Sequence, residues 1–147
     1  MKDEKLPEGI KWTKQRKDIF EVLKGAKKPL SAHDIYQEIL KDSSIDTTNF
    51  AISTVYRSLA IFEEKGLLEK SILLGSDTAV YELCEGNHKH YAVCLSCHKL
   101  VPLKHCPFEH INHDHMESEE GDFVVTGHKL ELYGYCKECK MNHTENC

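Results

Sequence analysis

Residues 53–83 read STVYRSLAIFEEKGLLEKSILLGSDTAVYEL, and this stretch decides the fold. Its first part repeats apolar side chains at the spacing of a helix, at Val55, Leu59 and Phe62. Gly66 is typical of the position just past a helix end. Two strand-like runs follow at 67–74 and 79–83, and the turn residues Gly75-Ser76-Asp77 separate them. The stretch therefore predicts a helix that leads directly into a β-hairpin.

Two further helices are predicted ahead of this stretch. The first runs from about Trp12 to Ala26, with Thr13 as its N-cap and Gly25 at its end. The second follows Ser31, another N-cap residue, and repeats apolar side chains at Ile35, Tyr36, Ile39 and Leu40. Three short helices and a hairpin are the element order of a winged helix-turn-helix, so we expect residues 1–83 to form such a domain.

The remainder of the chain is predicted to form a second domain of different character. Residues 84–90 are polar and are interpreted as a hinge. Residues 91–147 hold a predicted helix that opens near Pro107, together with strand-like runs near 91–93, 99–103, 123–125 and 129–135. The predicted fold class is therefore α+β, with an N-terminal winged helix followed by a small α+β domain.

The net charge of -5, taken over the whole chain, argues weakly against a nucleic-acid partner. Residues 1–83, however, hold 13 Lys+Arg against 14 Asp+Glu, whereas the rest of the chain holds 6 against 10. Most of the excess negative charge therefore lies outside the helices, and from Thr47 to Phe62 the only charged residue is Arg57. A helix without carboxylates can approach phosphates, although the same pattern also fits an ordinary amphipathic helix with a polar face.

Two Cys-x-x-Cys pairs carry the clearest chemical pattern, at Cys94, Cys97, Cys136 and Cys139. Two thiolates three residues apart can hold one face of a metal ion, and two such pairs complete the tetrahedral S₄ geometry of structural zinc. The chain has seven Cys, an odd number that excludes a complete intramolecular disulfide set. The alternatives are four reduced cysteines or one redox-active pair. Closing so long a loop through zinc would contribute on the order of 10 kcal/mol of folding free energy.

A second group of possible metal ligands remains, namely Cys84, His88, His90, Glu109 and His128. His88 and His90 are two residues apart, so an extended segment would place both imidazoles on the same side. Spacing alone does not bring the whole group together, and each histidine by itself is better explained as an exposed polar residue.

Four motifs in this order resemble the ferric uptake regulator (Fur) family. They are Lys14-Gln15-Arg16, residues 53–59, His88-Lys89-His90 before the first cysteine pair, and residues 127–134 before the second. The resemblance extends from about Trp12 to Lys140. It implies a homodimeric, metal-responsive transcriptional repressor with an N-terminal winged helix, a C-terminal dimerisation domain and a structural zinc held by the four paired cysteines.

The resemblance also implies a regulatory metal site formed by His88, His90, Glu109 and His128. Iron- and peroxide-sensing members carry a histidine and a carboxylate where this chain has Pro29 and Pro102. Zinc-sensing members carry an acid and a cysteine where it has Glu69 and Cys84, which are candidates for a second regulatory site. Since thiolates suit zinc better than ferrous iron, we expect Zn²⁺ in preference to Fe²⁺ or Mn²⁺ as the sensed metal.

The mechanism expected from the resemblance couples the metal to double-stranded operator DNA. Metal bound at the hinge would set the two winged helices of a dimer at the spacing of successive major grooves in a palindromic site. The residues expected to contact DNA are Ser53, Thr54, Tyr56 and Arg57 on the third helix and Lys14 and Arg16 on the first.

No membrane partner and no small organic substrate are expected, and we predict a cytoplasmic location. The apolar runs are far shorter than the roughly 18–20 residues of a membrane span, and the N-terminus is charged rather than signal-like. The alternatives are an iron- or peroxide-sensing regulator, a zinc enzyme and a zinc-dependent interaction module. Nothing in the sequence resembles an HExxH helix or a deaminase signature, so we expect no enzyme activity.

Overall fold

The computed structural model describes residues 6–85, 89–109, 119, 121, 123–125 and 127–142. The chain divides into two compact units, Met1–Gly86 and Asn87–Cys147. Among the described residues, none of the helices has the length and apolar character needed to cross a membrane.

The first unit begins with three helices, α1 (Lys14–Gly25), α2 (Ala32–Lys41) and α3 (Ile52–Glu64), and confirms the three predicted helices. The Thr13 hydroxyl caps α1 by accepting from the Arg16 N–H. Ser31 and Asp34 form a capping box at the start of α2, because each side chain accepts from the backbone N–H of the other residue. Local side-chain chemistry thus sets where these two helices begin.

The apolar faces of the three helices form one core. Its buried members are Ile19, Leu23, Ala32, Ile35, Ile39, Phe50, Val55, Leu59, Phe62, Leu68 and Tyr81. Trp12 extends this core, since its ring lies 5.3 Å from the Phe20 ring and 5.5 Å from the Phe62 ring. All these residues belong to the first unit, so its folding relies on apolar burial within residues 1–86.

A three-stranded antiparallel sheet completes the winged helix. It consists of β1 (Leu30–Ser31), β2 (Leu68–Ile72) and β3 (Ala79–Leu83), in the order β1-β3-β2. The hairpin of β2 and β3 is the predicted one, and Gly75 in its turn has φ 78°, a left-handed conformation that favours glycine. Strand β1 is too short to be predicted from its sequence, because only two residues pair with β3.

The second unit holds a mixed sheet, β4 (Tyr91–Cys94), β5 (Leu100–Pro102) and β6 (Leu132–Gly134), and a short helix α4 (Lys137–Lys140). The order is β5-β4-β6, with β4 antiparallel to β5 and parallel to β6. The parallel register places Cys94 opposite Gly134. The chain segments that carry the two cysteine pairs therefore leave the same end of the sheet.

Three expectations for this unit differ from the structure. The predicted strand at 123–125 is wrong, because those residues are not in a strand and both edges of β4 are already paired with β5 and β6. The last strand is confined to Leu132–Gly134. Residues 107–109 form a turn, and most of the helix expected beyond Pro107 lies outside the described residues.

Candidate metal centres and nucleic-acid interface

The side chains of Cys94, Cys97, Cys136 and Cys139 meet in one group. Two backbone hydrogen bonds fix the first pair: the Leu95 N–H donates to the Gly134 carbonyl at 2.8 Å, and the His98 N–H donates to the Cys94 carbonyl at 2.8 Å. The second pair lies on α4, where the Lys140 N–H donates to the Cys136 carbonyl at 2.8 Å. Each pair is thus held in a tight turn at the same end of the sheet.

The separation of the thiols fits a zinc ion. Cys97 Sγ lies 3.7 Å from Cys136 Sγ, and all four sulfur atoms lie within 4.8 Å of one another. Zinc bound to four thiolates at about 2.3 Å in a tetrahedron requires sulfur atoms about 3.8 Å apart. The four-cysteine cluster could therefore hold a structural zinc, as its spacing in the sequence indicates.

Hydrogen bonding and crowding act in opposite directions on these thiols. The backbone N–H of Cys136 donates to Cys94 Sγ at 3.4 Å and, with the N–H groups of Cys97 and Ser96, lowers the pKa of Cys94 to about 6. A hydrogen bond with Ser96 lowers the pKa of Cys139, but the neighbouring thiols, first that of Cys136, together with burial raise it to about 12. A dication would offset part of the negative charge of four thiolates and favour their deprotonated form, so metal binding here releases protons.

A second donor group joins His90, Cys106 and His128. His90 Nε2 lies 3.1 Å from His128 Nε2 and 3.3 Å from Cys106 Sγ, and Cys106 Sγ lies 3.2 Å from His128 Nε2. His90 is buried, whereas Cys106 and His128 are half-buried. Two imidazoles and a thiol therefore converge within one short triangle of atoms.

The chain positions each of these side chains by a separate contact. His90 directly precedes β4, and its carbonyl accepts from the Leu103 N–H at 2.8 Å. The His128 ring stacks on the His90 ring with centroids 5.0 Å apart. It also contacts the Phe108 ring, at a centroid distance of 5.2 Å. One ion with Zn–N bonds of about 2.0–2.1 Å and a Zn–S bond of about 2.3 Å can reach all three donor atoms.

The structure brings together only part of the regulatory site expected from the sequence. His90 and His128 meet, whereas His88 lies outside the described residues. Glu109 is exposed and is not in the group, although its backbone N–H donates to the Cys106 carbonyl at 3.1 Å. Cys106 was not among the predicted ligands; the signal that could have found it is its position directly before Pro107, where a helix is predicted to open.

Glu69 and Cys84, the candidates for a second regulatory site, lie near each other on the hairpin. Glu69 pairs directly with Glu82 across β2 and β3, and the Cys84 N–H donates to the Leu67 carbonyl at 2.9 Å. Burial, and then the charges of Glu69 and Glu82, raise the pKa of Cys84. Within the described part of the chain, these side chains do not assemble three close donor atoms.

The candidate DNA-contacting residues lie on two helices of the first unit. On α3, the side chains of Ser53, Tyr56 and Arg57 are exposed, and Tyr56 is 55% exposed although it is large and aromatic. Thr54 is half-buried on the same helix. On α1, Lys14 is exposed, and the half-buried Arg16 donates to the Lys11 carbonyl. This part of α1 lies near the segment that precedes α3, because Gln15 donates to the Asn49 carbonyl at 3.4 Å.

A winged helix with an exposed polar helix, in a chain that also has two groups of metal-ligating side chains, is the architecture of a metal-dependent DNA-binding regulator. A model of the Ferric uptake regulator family matches residues 7–133, and the chain belongs to this family. It is therefore a metal-responsive transcription regulator and not an enzyme. Regulators of this family bind DNA as dimers.

Known proteins of the family resemble the chain over nearly its whole length. The peroxide-responsive repressor PerR of Staphylococcus aureus (strain Mu50 / ATCC 700699) is 31% identical over 132 residues, which are 90% of this chain and 84% of that protein. The ferric uptake regulator of Francisella tularensis, solved with iron, has a TM-score of 0.71 and 26% identity, and covers 91% of this chain and 97% of its own. The ferric uptake regulator of Vibrio cholerae has a TM-score of 0.68 and 28% identity, with coverages of 87% and 93%.

Proposed function

We propose that the chain is a zinc-sensing transcriptional repressor, which binds palindromic operator DNA as a homodimer when its regulatory site is filled. The observation that carries this proposal is the convergence of the His90, Cys106 and His128 donor atoms at 3.1–3.3 Å. A ligand set of two imidazoles and a thiolate suits zinc, whereas manganese prefers oxygen ligands. We place the protein in the cytoplasm.

We assign a second, structural zinc to Cys94, Cys97, Cys136 and Cys139. Four thiolates leave no open coordination position, which is the mark of a zinc that stabilises a fold. The site would join the ends of β4 and β6 whether or not the regulatory site is filled. Zinc therefore has two roles in this proposal, one permanent and one that depends on supply.

The proposed switch acts on the segment between the two units. We take residues 1–83 as the DNA-binding domain, 84–90 as a hinge, and 91–147 as the dimerisation and metal-binding domain. Since His90 ends the hinge and His88 lies within it, a metal bound there would restrict the hinge and favour one placement of the DNA-binding domain. The exposed face of α3, with Tyr56 and Arg57, would then enter the major groove.

A peroxide- or iron-sensing role is the second candidate, because the similar Staphylococcus aureus protein is named a peroxide-responsive repressor. Two residues argue against this second role. We align Pro29 and Pro102 with a histidine and a carboxylate ligand of iron- and peroxide-sensing members, and proline cannot bind a metal through its side chain. The thiol of Cys106 beside the two imidazoles also favours zinc over ferrous iron.

Fluorescence anisotropy with a palindromic duplex tests the proposed function, the duplex being selected in vitro with the zinc-loaded protein. We expect zinc to tighten binding roughly 5–150-fold relative to a chelator weak enough to spare the four-cysteine zinc. Ferrous iron and Mn²⁺ under anaerobic conditions should have a smaller effect. Equal affinity with zinc and with chelator would refute the regulatory role, and a response to iron alone would establish the second candidate.

The same assay tests the DNA-contacting face. Arg57→Ala should weaken binding strongly, because it removes an exposed cation from the middle of α3. Lys28→Ala removes the same charge from the exposed segment between α1 and β1 and is the matched control. If both variants bind as the parent does, α3 is not the reading helix.

A further inference from the structure

We propose that Cys106 is a ligand of the regulatory metal and is the residue that keeps Fe²⁺ and Mn²⁺ from activating the protein. This inference rests on the proposed zinc-sensing function and adds a thiolate to its site. It also replaces the carboxylate of Glu109, which is exposed and lies outside the donor group.

The position of Cys106 is fixed from both sides by the two histidines. Three residues before it, the Leu103 N–H donates to the His90 carbonyl at 2.8 Å. Two residues after it, the Phe108 ring packs against the His128 ring with centroids 5.2 Å apart. Residues on either side of Cys106 thus each contact one of the two histidines. The Cys106 Sγ lies 3.2–3.3 Å from the Nε2 atoms of both.

The geometry argues for coordination rather than for packing of a small apolar side chain. Cys106 is only half-buried, and its sulfur lies within 3.3 Å of two polar nitrogen atoms. The two Nε2 atoms also face each other at 3.1 Å, so a cation between the three donors would satisfy both nitrogen atoms and the thiolate at once. His90 and His128 lie 16 and 22 residues from Cys106, so the meeting is a product of the fold.

The chemistry of the donor set determines which metals it favours. Thiolate and imidazole ligands suit zinc and cobalt, whereas carboxylate and water ligands suit manganese. Replacing the sulfur by a carboxylate of similar reach would therefore shift the site towards Mn²⁺ and Fe²⁺. Cys106→Asp is such a change, and Cys106→Ser removes the thiolate without adding a charge.

Cobalt spectroscopy tests the ligand directly, because a thiolate bound to Co²⁺ gives an intense near-ultraviolet charge-transfer absorption. Full-length protein with zinc retained at the four-cysteine cluster is titrated with one equivalent of Co²⁺. The parent should show the absorption, and Cys106→Ser should lose it. Cys84→Ser removes an exposed thiol outside the group and should keep the absorption, as should Glu109→Ala.

Metal preference is then measured by anisotropy on the selected duplex. Cys106→Ser should raise the zinc concentration needed for half-maximal activation by more than the roughly 10–100-fold loss of metal affinity that is typical of losing an outer-shell partner. Cys106→Asp should gain activation by Mn²⁺ that the parent lacks. Zinc content and the far-ultraviolet circular dichroism of each variant confirm that the fold and the four-cysteine site are intact.

The outcomes separate the two proposals. If Cys106→Ser keeps the absorption, or Cys106→Asp remains a zinc-only protein, the inference about Cys106 is overturned while zinc-dependent repression stands. If Cys106→Ser loses the absorption but the parent binds DNA equally with and without zinc, Cys106 is a metal ligand and the proposed function fails.

Discussion

At the scale of single residues, the Cys84 thiol, which lies outside both metal groups, differs in environment from the Cys94 thiol of the four-cysteine cluster. Cys94 receives backbone N–H donors that lower its pKa to about 6, and this favours the thiolate form that metals bind. At Cys84, burial and then the nearby carboxylates of Glu69 and Glu82 raise the pKa. The local surroundings therefore favour the thiolate at Cys94 and disfavour it at Cys84.

Alkylation of Cys84 should be slow near neutral pH. Its rate should begin to rise at a higher pH than the alkylation rate of an unstructured cysteine does. The thiolate is the reactive form, and a raised pKa leaves less of it at about pH 8. Glu69→Gln removes one of the repelling charges, so it should lower the pKa of Cys84 and increase the rate at that pH. Burial is the largest cause and remains, so the rate should stay below that of a model peptide.

Peptide-level mass spectrometry of iodoacetamide adducts, in metal-free buffer after zinc loading of the cysteine cluster, measures this rate. Glu64→Gln removes the same charge from an exposed position on α3 that does not act on Cys84, and it is the matched control. A faster rate in Glu64→Gln than in Glu69→Gln would contradict the electrostatic explanation.

At the scale of elements, the start of α2 depends on one hydrogen-bonded pair. Ser31 Oγ accepts from the Asp34 N–H at 3.1 Å and donates to Asp34 Oδ2 at 2.7 Å, while the Ser31 N–H donates to the same carboxylate at 3.0 Å. Ser31 is buried and also belongs to β1, which pairs with β3. The cap therefore joins a helix and the sheet at one residue.

Ser31→Ala should destabilise the first unit by about 1–2 kcal/mol, because it removes the N-cap hydrogen bonds of α2 at a buried residue. Urea unfolding of the zinc-loaded protein, followed by circular dichroism at the helix band, measures the change. Ser43→Ala, in the exposed loop after α2, should stay within about 0.5 kcal/mol of the parent. Equal midpoints for the two variants would show that the capping box contributes nothing to stability.

The same locality explains which elements could be predicted. The three helices have caps and apolar repeats within a few residues, and the hairpin has a turn signature, so the sequence contains what defines them. Strand β1 and the wrongly predicted strand at 123–125 depend on which distant strand offers an open edge. Pairing across the chain is not encoded in a local pattern.

The metal groups divide in the same way. The four-cysteine cluster could be predicted because each pair is a local motif that already forms half of a site. The second group could not be predicted completely, since Cys106 meets His90 and His128 only through the turn that follows β5. Family resemblance supplied the two histidines, and the fold supplied the thiol.

At the scale of the whole molecule, the two units are stabilised by different means. The first has a core of large buried side chains from three helices and the wing. In the second, the buried apolar residues among those described are Tyr91, Val93 and Cys94, all on β4. Within the described part of this unit, so few buried apolar side chains offset little of the entropy of ordering a three-stranded sheet, and we expect a metal crosslink between β4 and β6 to contribute much of the stability.

Removal of the four-cysteine zinc should therefore unfold the second unit and leave the first one folded. Extraction with a strong chelator under reducing conditions should make residues 87–147 rapidly cleavable by trypsin, whereas the fragment with α1, α2 and α3 persists and keeps its helical circular dichroism. Cys97→Ser should have the same effect without chelator, because three thiolates hold zinc less tightly than four. Cys84→Ser, which removes a thiol outside the cluster, should digest as the parent does. Cooperative loss of both units on zinc removal would instead show that the stability of the winged helix depends on the metal-binding unit.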